Sequence, residues 1–291
     1  MFTAILALSI IVALVNGLQD APNAITTSIV TKSLTVRTAR IYVAALNTLG
    51  IVFGVLLITY LHSSLLAVIG FPTFVEHSGI NLGVVLATAL AVTITWSLAA
   101  YAFGIPISGW NCTLSALAGG ALAGGAGAIP PLVLWGALTP IVLSPLLGFG
   151  VSYVLTLGIQ RLRYERLLTV ESIRMAQTLS AGLVAAGHGI SNGRIPLAFI
   201  VIAATGVHEG LIAEPGWFVI DSLTSSVFTH SPVSWWVLAL VAIALGLGSY
   251  TGGKRIILTL GRKLTDLTPA QGLAAEGTTA SLMYIAAMGF G

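Results

Sequence analysis

The stretch Asn16-Gly17-Leu18-Gln19-Asp20-Ala21-Pro22-Asn23-Ala24 sets a carboxylate, carboxamides, a glycine and a proline inside an otherwise apolar segment. Ionisable groups at bilayer depth mark ion or substrate paths, and broken helices are tolerated there where they line a cavity. A coupling cation needs carboxylate and carbonyl oxygens, which Asp20, Gln19 and Asn23 supply, with Asp20 and Asn23 as the Na⁺ candidates. A tetrahedral oxyanion instead needs converging N–H and O–H donors and positive helix ends. Ser108, Asn111 and Thr113, in Ile105-Pro106-Ile107-Ser108-Gly109-Trp110-Asn111-Cys112-Thr113, offer such donors. A third polar break, Gly187-His188-Gly189-Ile190-Ser191-Asn192-Gly193-Arg194, adds Ser191 and Asn192 as binding candidates and Arg194 as a residue that either meets an anion or snorkels to the interface. His188 either carries a proton or packs between helices. Glu276, in the last apolar run, is a second ion ligand, a proton carrier or a buried structural partner. Asp20 has a structural alternative as well, capping a half-helix that begins at Ala21-Pro22.

The elements that must hold these groups are membrane spans. Of 291 residues 56% are hydrophobic and only 7% charged, with a mean hydropathy of +1.00, whereas soluble domains carry about 25% charged residues. Apolar stretches of about 20 residues recur, so helices do the spanning. The 33 glycines suit close helix packing and unwound segments. The net charge of +3 has no functional weight, because basic residues in such a chain set orientation. Cys112 is the sole cysteine, so no intrachain disulfide forms. Met1-Phe2-Thr3 lacks a basic lead, so no cleaved signal peptide is expected.

In chain order the expected spans are Thr3 to Ile29, interrupted at the first motif; Ile41 to Leu61; Ile80 to Gly104; Ile105 to Gly127, a discontinuous or hairpin-like element; Pro131 to Leu157; Thr178 to Thr205, broken at the His188 motif; Val233 to Ser249; and Leu273 to Phe290. Loops 32–40, 158–176 and 251–267 are basic, while 62–79, with Glu76, and 207–231, with His208, Glu209, Glu214 and Asp221, are acidic. The positive-inside rule puts the first group in the cytoplasm and gives about eight crossings with the N-terminus outside. Trp235-Trp236 reads as an interfacial belt.

Gly17 aligns with Gly189 at an offset of 172 and Phe103-Gly104 with Phe290-Gly291 at 187, and equivalent loops carry opposite charge. That is the pattern of inverted-topology repeats, whose solute site lies where the two broken motifs meet. The expected class is an all-α polytopic membrane protein with 1–157 as the first repeat, 158–176 as a basic cytoplasmic linker and 177–291 as a second, incomplete repeat. Its counterpart of Ile105-Pro106-Ile107-Ser108 would come after Gly291, in a longer chain or from a partner.

Gly17 to Ala24 resembles the Gly-x-Asn-Asp-x-x-Asn-Ala signature of the inorganic phosphate transporter (PiT) family. His188-Gly189-Ile190-Ser191-Asn192 is similar to its second copy, His-Gly-x-Asn-Asp, and Gly104-Ile105-Pro106-Ile107-Ser108 to its Gly-Leu-Pro-Val-Ser-Thr-Thr-His element. Gly252-Gly253-Lys254-Arg255-Ile256, Pro269-Ala270-Gln271-Gly272 and Ala275-Glu276 look like the stretch leading into a second such element. The resemblance implies uptake of inorganic phosphate coupled to Na⁺ or H⁺, with the oxyanion between the two halves. Carried over residue by residue, Asp20, Asn23 and Ser108 match, and Glu276 matches a membrane-embedded glutamate. The chain departs at Asn192, where the family has Asp, at Ile195 for Asn, at Gln19 for Asn, and at Ser108-Gly109-Trp110-Asn111 for Ser-Thr-Thr-His. Ion stoichiometry and phosphate selectivity therefore stay open.

The expectation is an ion-coupled importer of inorganic phosphate working by alternating access, multi-pass in the cell (inner or plasma) membrane, with no cofactor besides the coupling Na⁺ or H⁺. Its partners are the anion and the bilayer, with no nucleic acid, and a homodimer or a partner supplying the missing segment as further options. One alternative keeps the fold and takes sulfate, an acceptor-only anion that does not need the second Asp. Another is a channel or a non-transporting membrane component. No metal-ligand histidine spacing, phosphate-binding Gly-rich loop or nucleophile elbow is present, so neither an enzyme nor an ATP-driven pump is expected.

Overall fold

The computed structural model describes residues 1–60, 81–124, 131–208, 210–213, 234–263 and 266–289. They form α1 (Phe2–Val30), α2 (Val36–Tyr60), α3 (Leu82–Phe103), α4 (Gly109–Ala123), α5 (Pro131–Tyr164), α6 (Val170–His208), α7 (Trp235–Thr251), α8 (Lys254–Lys263) and α9 (Pro269–Gly289). The expectations for Glu76, Glu209, Glu214, Asp221 and Phe290-Gly291 lie outside the described residues. Among the described residues five helices are long and apolar enough to cross a membrane, and a sixth span results if α7 and the 58° bend into α8 count as one. The chain is an all-α polytopic membrane protein.

Glycines decide how the helices meet. A Cβ at Gly189 would lie 2.2 Å from the Asn47 carbonyl oxygen, and one at Gly50 would lie 2.2 Å from that of Ala186, so α2 and α6 touch backbone to backbone. The same contact recurs between α1 and α7, where a Cβ at Gly17 would lie 2.2 Å from the Leu245 oxygen and one at Gly248 would lie 1.9 Å from that of Leu14. Gly54 meets Ile190 much as Gly252 meets Leu18. Leu14 and Ala186, Gly17 and Gly189, and Leu18 and Ile190 are each 172 residues apart. Their partners Asn47 and Leu245, Gly50 and Gly248, and Gly54 and Gly252 are each 198 apart.

Gly50–Ala186 and Gly54–Ile190 advance together, as do Leu14–Gly248 and Leu18–Gly252, so the paired helices run parallel. The two motif helices run antiparallel to each other. Asp20 of α1 faces His188 and Asn192 of α6, while Thr31 donates to Gln177 Oε1 at 2.9 Å. Helix α9 lies parallel to α6, with Gly272 beside Gln177 and Met283 beside Gly187. Lys32, Arg37, Arg40, Arg161, Arg163, Arg166 and Arg174 thereby collect at one end of the bundle.

The breaks expected at the two motifs do not occur, since α1 and α6 are continuous through them. In α6 the glycines of the motif are close-approach points rather than unwound turns. In α1, Pro22 has no N–H for the Leu18 carbonyl, and the chain facing that gap breaks instead. Gly252 abuts the Leu18 backbone, Gly253 (φ +98°) abuts the Pro22 ring, and α7 bends there into α8. Within 158–176, α5 runs to Tyr164 and α6 starts at Val170.

The other expected break is present. Helix α3 ends in the left-handed Gly104 (φ +70°), whose N–H bonds Tyr101 O while Ile105 N–H bonds Ala100 O. Arg255 of α8 donates to Ala102 O at 2.6 Å and satisfies one more end carbonyl. Helix α4 then folds back antiparallel on α3, with Cys112 beside Thr93 and Ser97 and Gly120 beside Val85.

Because Gly189 faces backbone, Gly189→Ala should cost about 1–3 kcal/mol by overpacking and lower the thermal midpoint in detergent. Gly119→Ala, with nothing within 4 Å of its Cβ, should leave the midpoint in place.

Candidate functional site

A polar stripe runs down α1 at helical spacing, through Asn16, Asp20, Asn23, Thr27 and Thr31. Two clusters form along it. The first centres on Asp20, buried where α1 crosses α6. Asn23 Nδ2 donates to Asp20 Oδ1 at 3.2 Å, and His188 and Asn192 lie beside the same carboxylate. Asn23 and Ser191 are exposed and flank the cluster.

This cluster is under-satisfied. Asn16 Nδ2, Gln19 Oε1, Asn111 Oδ1, His188 Nε2 and Asn192 Nδ2 are all buried without a hydrogen-bond partner. Buried polar atoms are ordinarily paired, and each orphan costs about 1–3 kcal/mol. Three of these orphans, on Asn16, His188 and Asn192, belong to the two crossing helices, while Gln19 faces α3 and Asn111 lies in the first turn of α4.

The N-terminus of α4 reaches the same region. Gly109 lies against the Asn16 carboxamide, one turn along α1 from Asp20. Ser108 caps that terminus, its Oγ accepting the Asn111 N–H at 3.3 Å. Thr113 is buried, but its hydroxyl donates to Gly109 O at 2.8 Å, so its proton is spent within its own helix. Gln19 faces α3, where Nε2 donates to Ser97 O at 2.6 Å. Arg194 is half-buried and follows Asn192 by two positions on α6.

The second cluster sits about 10 Å further along α1, two turns at 1.5 Å per residue. Glu276 of α9 is buried, and its Oε1 accepts from the Thr27 hydroxyl and, at 2.8 Å, from Ser28. Its Oε2 accepts from Ser180 of α6 at 3.0 Å. Gln177 closes the cluster, with Oε1 accepting from Thr31 at 2.9 Å and Ser33 at 2.7 Å, and Nε2 on the Glu276 side. Glu276 is thus separated from the Asp20 cluster.

Sequence reasoning passed over Asn16, Thr27, Ser28, Ser180 and Gln177, although the α1 spacing carried a signal for the first two. His188, expected either to carry a proton or to pack between helices, lies beside Asp20 with its Nε2 unpartnered. Among the described residues no three His, Cys, Asp or Glu side chains gather as a metal site. A lipid-side groove between Leu8 of α1 and Thr88, Ala91, Thr95 and Trp96 of α3 is almost wholly apolar and has no part in either cluster.

The crossed helices thus enclose a buried, partly unsatisfied polar centre. The model of the phosphate transporter family (PHO4) matches residues 16–173 and 163–291. A probable low-affinity inorganic phosphate transporter of Mycobacterium tuberculosis is 30% identical over 281 residues, covering 94% of this chain and 60% of that protein. One of Bacillus subtilis is 27% identical over 274 residues, covering 93% and 74%. A solved sodium-dependent phosphate transporter has a TM-score of 0.70 at 18% identity, over 98% of this chain and 84% of its own, and so shares the fold. The chain belongs to the phosphate transporter family, and it spans about 60% of the length of the mycobacterial relatives.

Asn192→Asp would set a second carboxylate against Asp20. Two such groups share a proton or bind a cation, so half-maximal thermal stabilisation by Na⁺ should need about ten-fold less Na⁺ than in the parent, about 1.4 kcal/mol. A Na⁺ titration of the melting temperature measures this.

Proposed function

We propose that the chain forms the transport core of an ion-coupled importer of inorganic phosphate working by alternating access. The observation that carries this reading is the set of orphaned polar atoms around Asp20 beside the N-terminus of α4. The Asn16, His188 and Asn192 nitrogens and the free N–H groups of a helix start offer donors to an oxyanion without a fixed counter-charge. Asp20 and Asn23 offer oxygens to a coupling cation, Na⁺ being suggested by the sodium-dependent relative. Ser108 and Asn111 belong to the anion side. Thr113 fits less well, its proton being committed. Glu276 serves a second ion or a proton.

An inverted repeat underlies the site in this reading. The recurring glycine contacts at offsets of 172 and 198 and the antiparallel α1 and α6 support it. The α3–α4 fold-back, with the basic residues at one end, keeps the parity that eight crossings require. Sulfate is the second reading, favoured by Asn192, whose amide oxygen accepts from a protonated phosphate less strongly than a second carboxylate would.

Uptake of labelled phosphate into proteoliposomes under a Na⁺ or pH gradient tests the function. Accumulation above the external level is expected, with unlabelled phosphate competing better than sulfate. Preferential competition by sulfate would reassign the anion, and equilibration without accumulation would mean a channel. Asp20→Asn should lower uptake at least ten-fold at an unchanged elution volume.

A further inference from the structure

A helix that stops inside a bilayer leaves carbonyl oxygens with no water to take them, so another group must donate. Two helices of this fold stop that way. Helix α3 ends at Phe103, and the Ala102 oxygen loses its backbone donor because Pro106, four residues on, has no N–H. The Ile105 N–H is already taken by Ala100 O. Helix α7 ends at Thr251, where Gly252 turns extended (ψ 176°) and frees the Tyr250 oxygen. Each oxygen is met by an arginine of another helix. Arg255 Nη1 donates to Ala102 O at 2.6 Å. Arg40 Nε donates to Tyr250 O at 2.7 Å, with Nη2 on the same oxygen and the guanidinium 5.1 Å from the centre of the Tyr250 ring.

The Arg255 bond joins two parts of the structure that frame the polar centre. Helix α8 is fixed to the last turns of α1, with Gly253 against Pro22, Gly261 against Val30 and Thr26, and Ile257 on the cluster of Ala21, Ala24 and Ile25. Arg255 therefore has a set place relative to Asp20. The tip of the α3–α4 hairpin rests on the same helix. A Cβ at the left-handed Gly104 would lie 3.1 Å from Thr259 Oγ1 and 3.4 Å from the Arg255 oxygen. Ser108, which caps α4, follows only four residues later. On its other side the hairpin touches α1, through Gln19 Nε2 on Ser97 O and Gly109 against Asn16. Without the guanidinium the tip loses its charge-assisted tie to α8, while Asp20 stays where the crossing of α1 and α6 puts it.

We infer that Arg255 is a positioning residue for the anion. It pins the hairpin tip on α8 and so aims the first N–H groups of α4 at the polar centre beside Asn16 and Asp20. The guanidinium acts through a backbone oxygen and does not touch the solute. Its loss loosens the helix start that faces the anion and leaves the cation oxygens of α1 in place, so the two affinities separate. This inference rests on the transport reading, and its test therefore has an arm that needs no substrate.

In proteoliposomes Arg255→Gln should raise the phosphate concentration for half-maximal uptake about ten-fold, the scale of one lost charge-assisted hydrogen bond. The maximal rate and the half-saturating Na⁺ concentration should stay within about two-fold of the parent. Arg255→Lys, which keeps a charged donor, should recover most of the phosphate affinity. Arg40→Gln, which uncaps α7 instead, should leave it unchanged. An unaltered phosphate requirement in Arg255→Gln, an equal rise in the Na⁺ requirement, or a matching rise in Arg40→Gln overturns the inference. In the second arm Cys112, in the first turn of α4 and half-buried beside Thr93 and Ser97, reports on the order of that helix start. Its labelling by a methanethiosulfonate in detergent should quicken about ten-fold in Arg255→Gln, the same loss of one bond read as a rate. Equal labelling rates overturn the positioning role even where the phosphate requirement has risen, because the guanidinium would then meet the anion itself. Gly104→Ala, which wedges a methyl between the tip and α8, should reproduce both changes and decides the matter if Arg255→Gln does not fold, parent values in both arms counting against the inference. A parent that takes up neither phosphate nor sulfate ends the transport reading, and Cys112 labelling still shows whether Arg255 holds the hairpin.

Discussion

The structure depends on backbone-to-backbone contact at glycine. Because Gly17, Gly50, Gly189 and Gly248 carry no Cβ, α1 lies directly on α7 and α2 on α6, and these two pairs fix the angle at which α1 and α6 pass each other. In a bilayer, where lipid tails compete on equal terms with apolar side chains, such intimate van der Waals packing is what holds helices together. Asp20 gains its surroundings from it. Were the pairs an ångström or two further apart, His188 and Asn192 would not lie against the carboxylate.

A tight frame around a loose centre is a coherent energetic arrangement. The frame is close-packed backbone, whereas the Asp20 cluster carries several unmet polar groups. Under the transport reading proposed above, a solute that satisfied them would recover the cost of leaving them unpaired. The Glu276 cluster is the opposite case, its oxygens already supplied with hydroxyl donors.

Much of this was legible in the chain because burying polarity in a membrane is costly. Asp20, Asn192 and Glu276 stand out against an apolar background, and the spans between them could be outlined from hydropathy. What could not be read was which chain breaks. Pro22 and the glycines around His188 look like interruptions, yet α1 and α6 run through them, and the kink falls at Gly252-Gly253, which the Leu18 to Pro22 surface requires. Sequence periodicity does not tell a glycine that unwinds a helix from one that lets another helix in. Nor could Gln177 or Ser180 be singled out, because their importance comes from Glu276, about a hundred residues away in sequence.

Helix α5 differs from the others in that its apolar window is wholly unburied. At 34 residues it is about 51 Å long at 1.5 Å per residue, well beyond a hydrocarbon core of about 30 Å. Trp135 near one end and Arg161 and Arg163 near the other are positioned to anchor in the two headgroup layers. Only residues 165–169 separate that anchored end from α6. Bilayer thickness therefore has a mechanical handle on the helix that carries His188 and Asn192, and a change of lipid chain length acts on the centre of the protein through a five-residue tether.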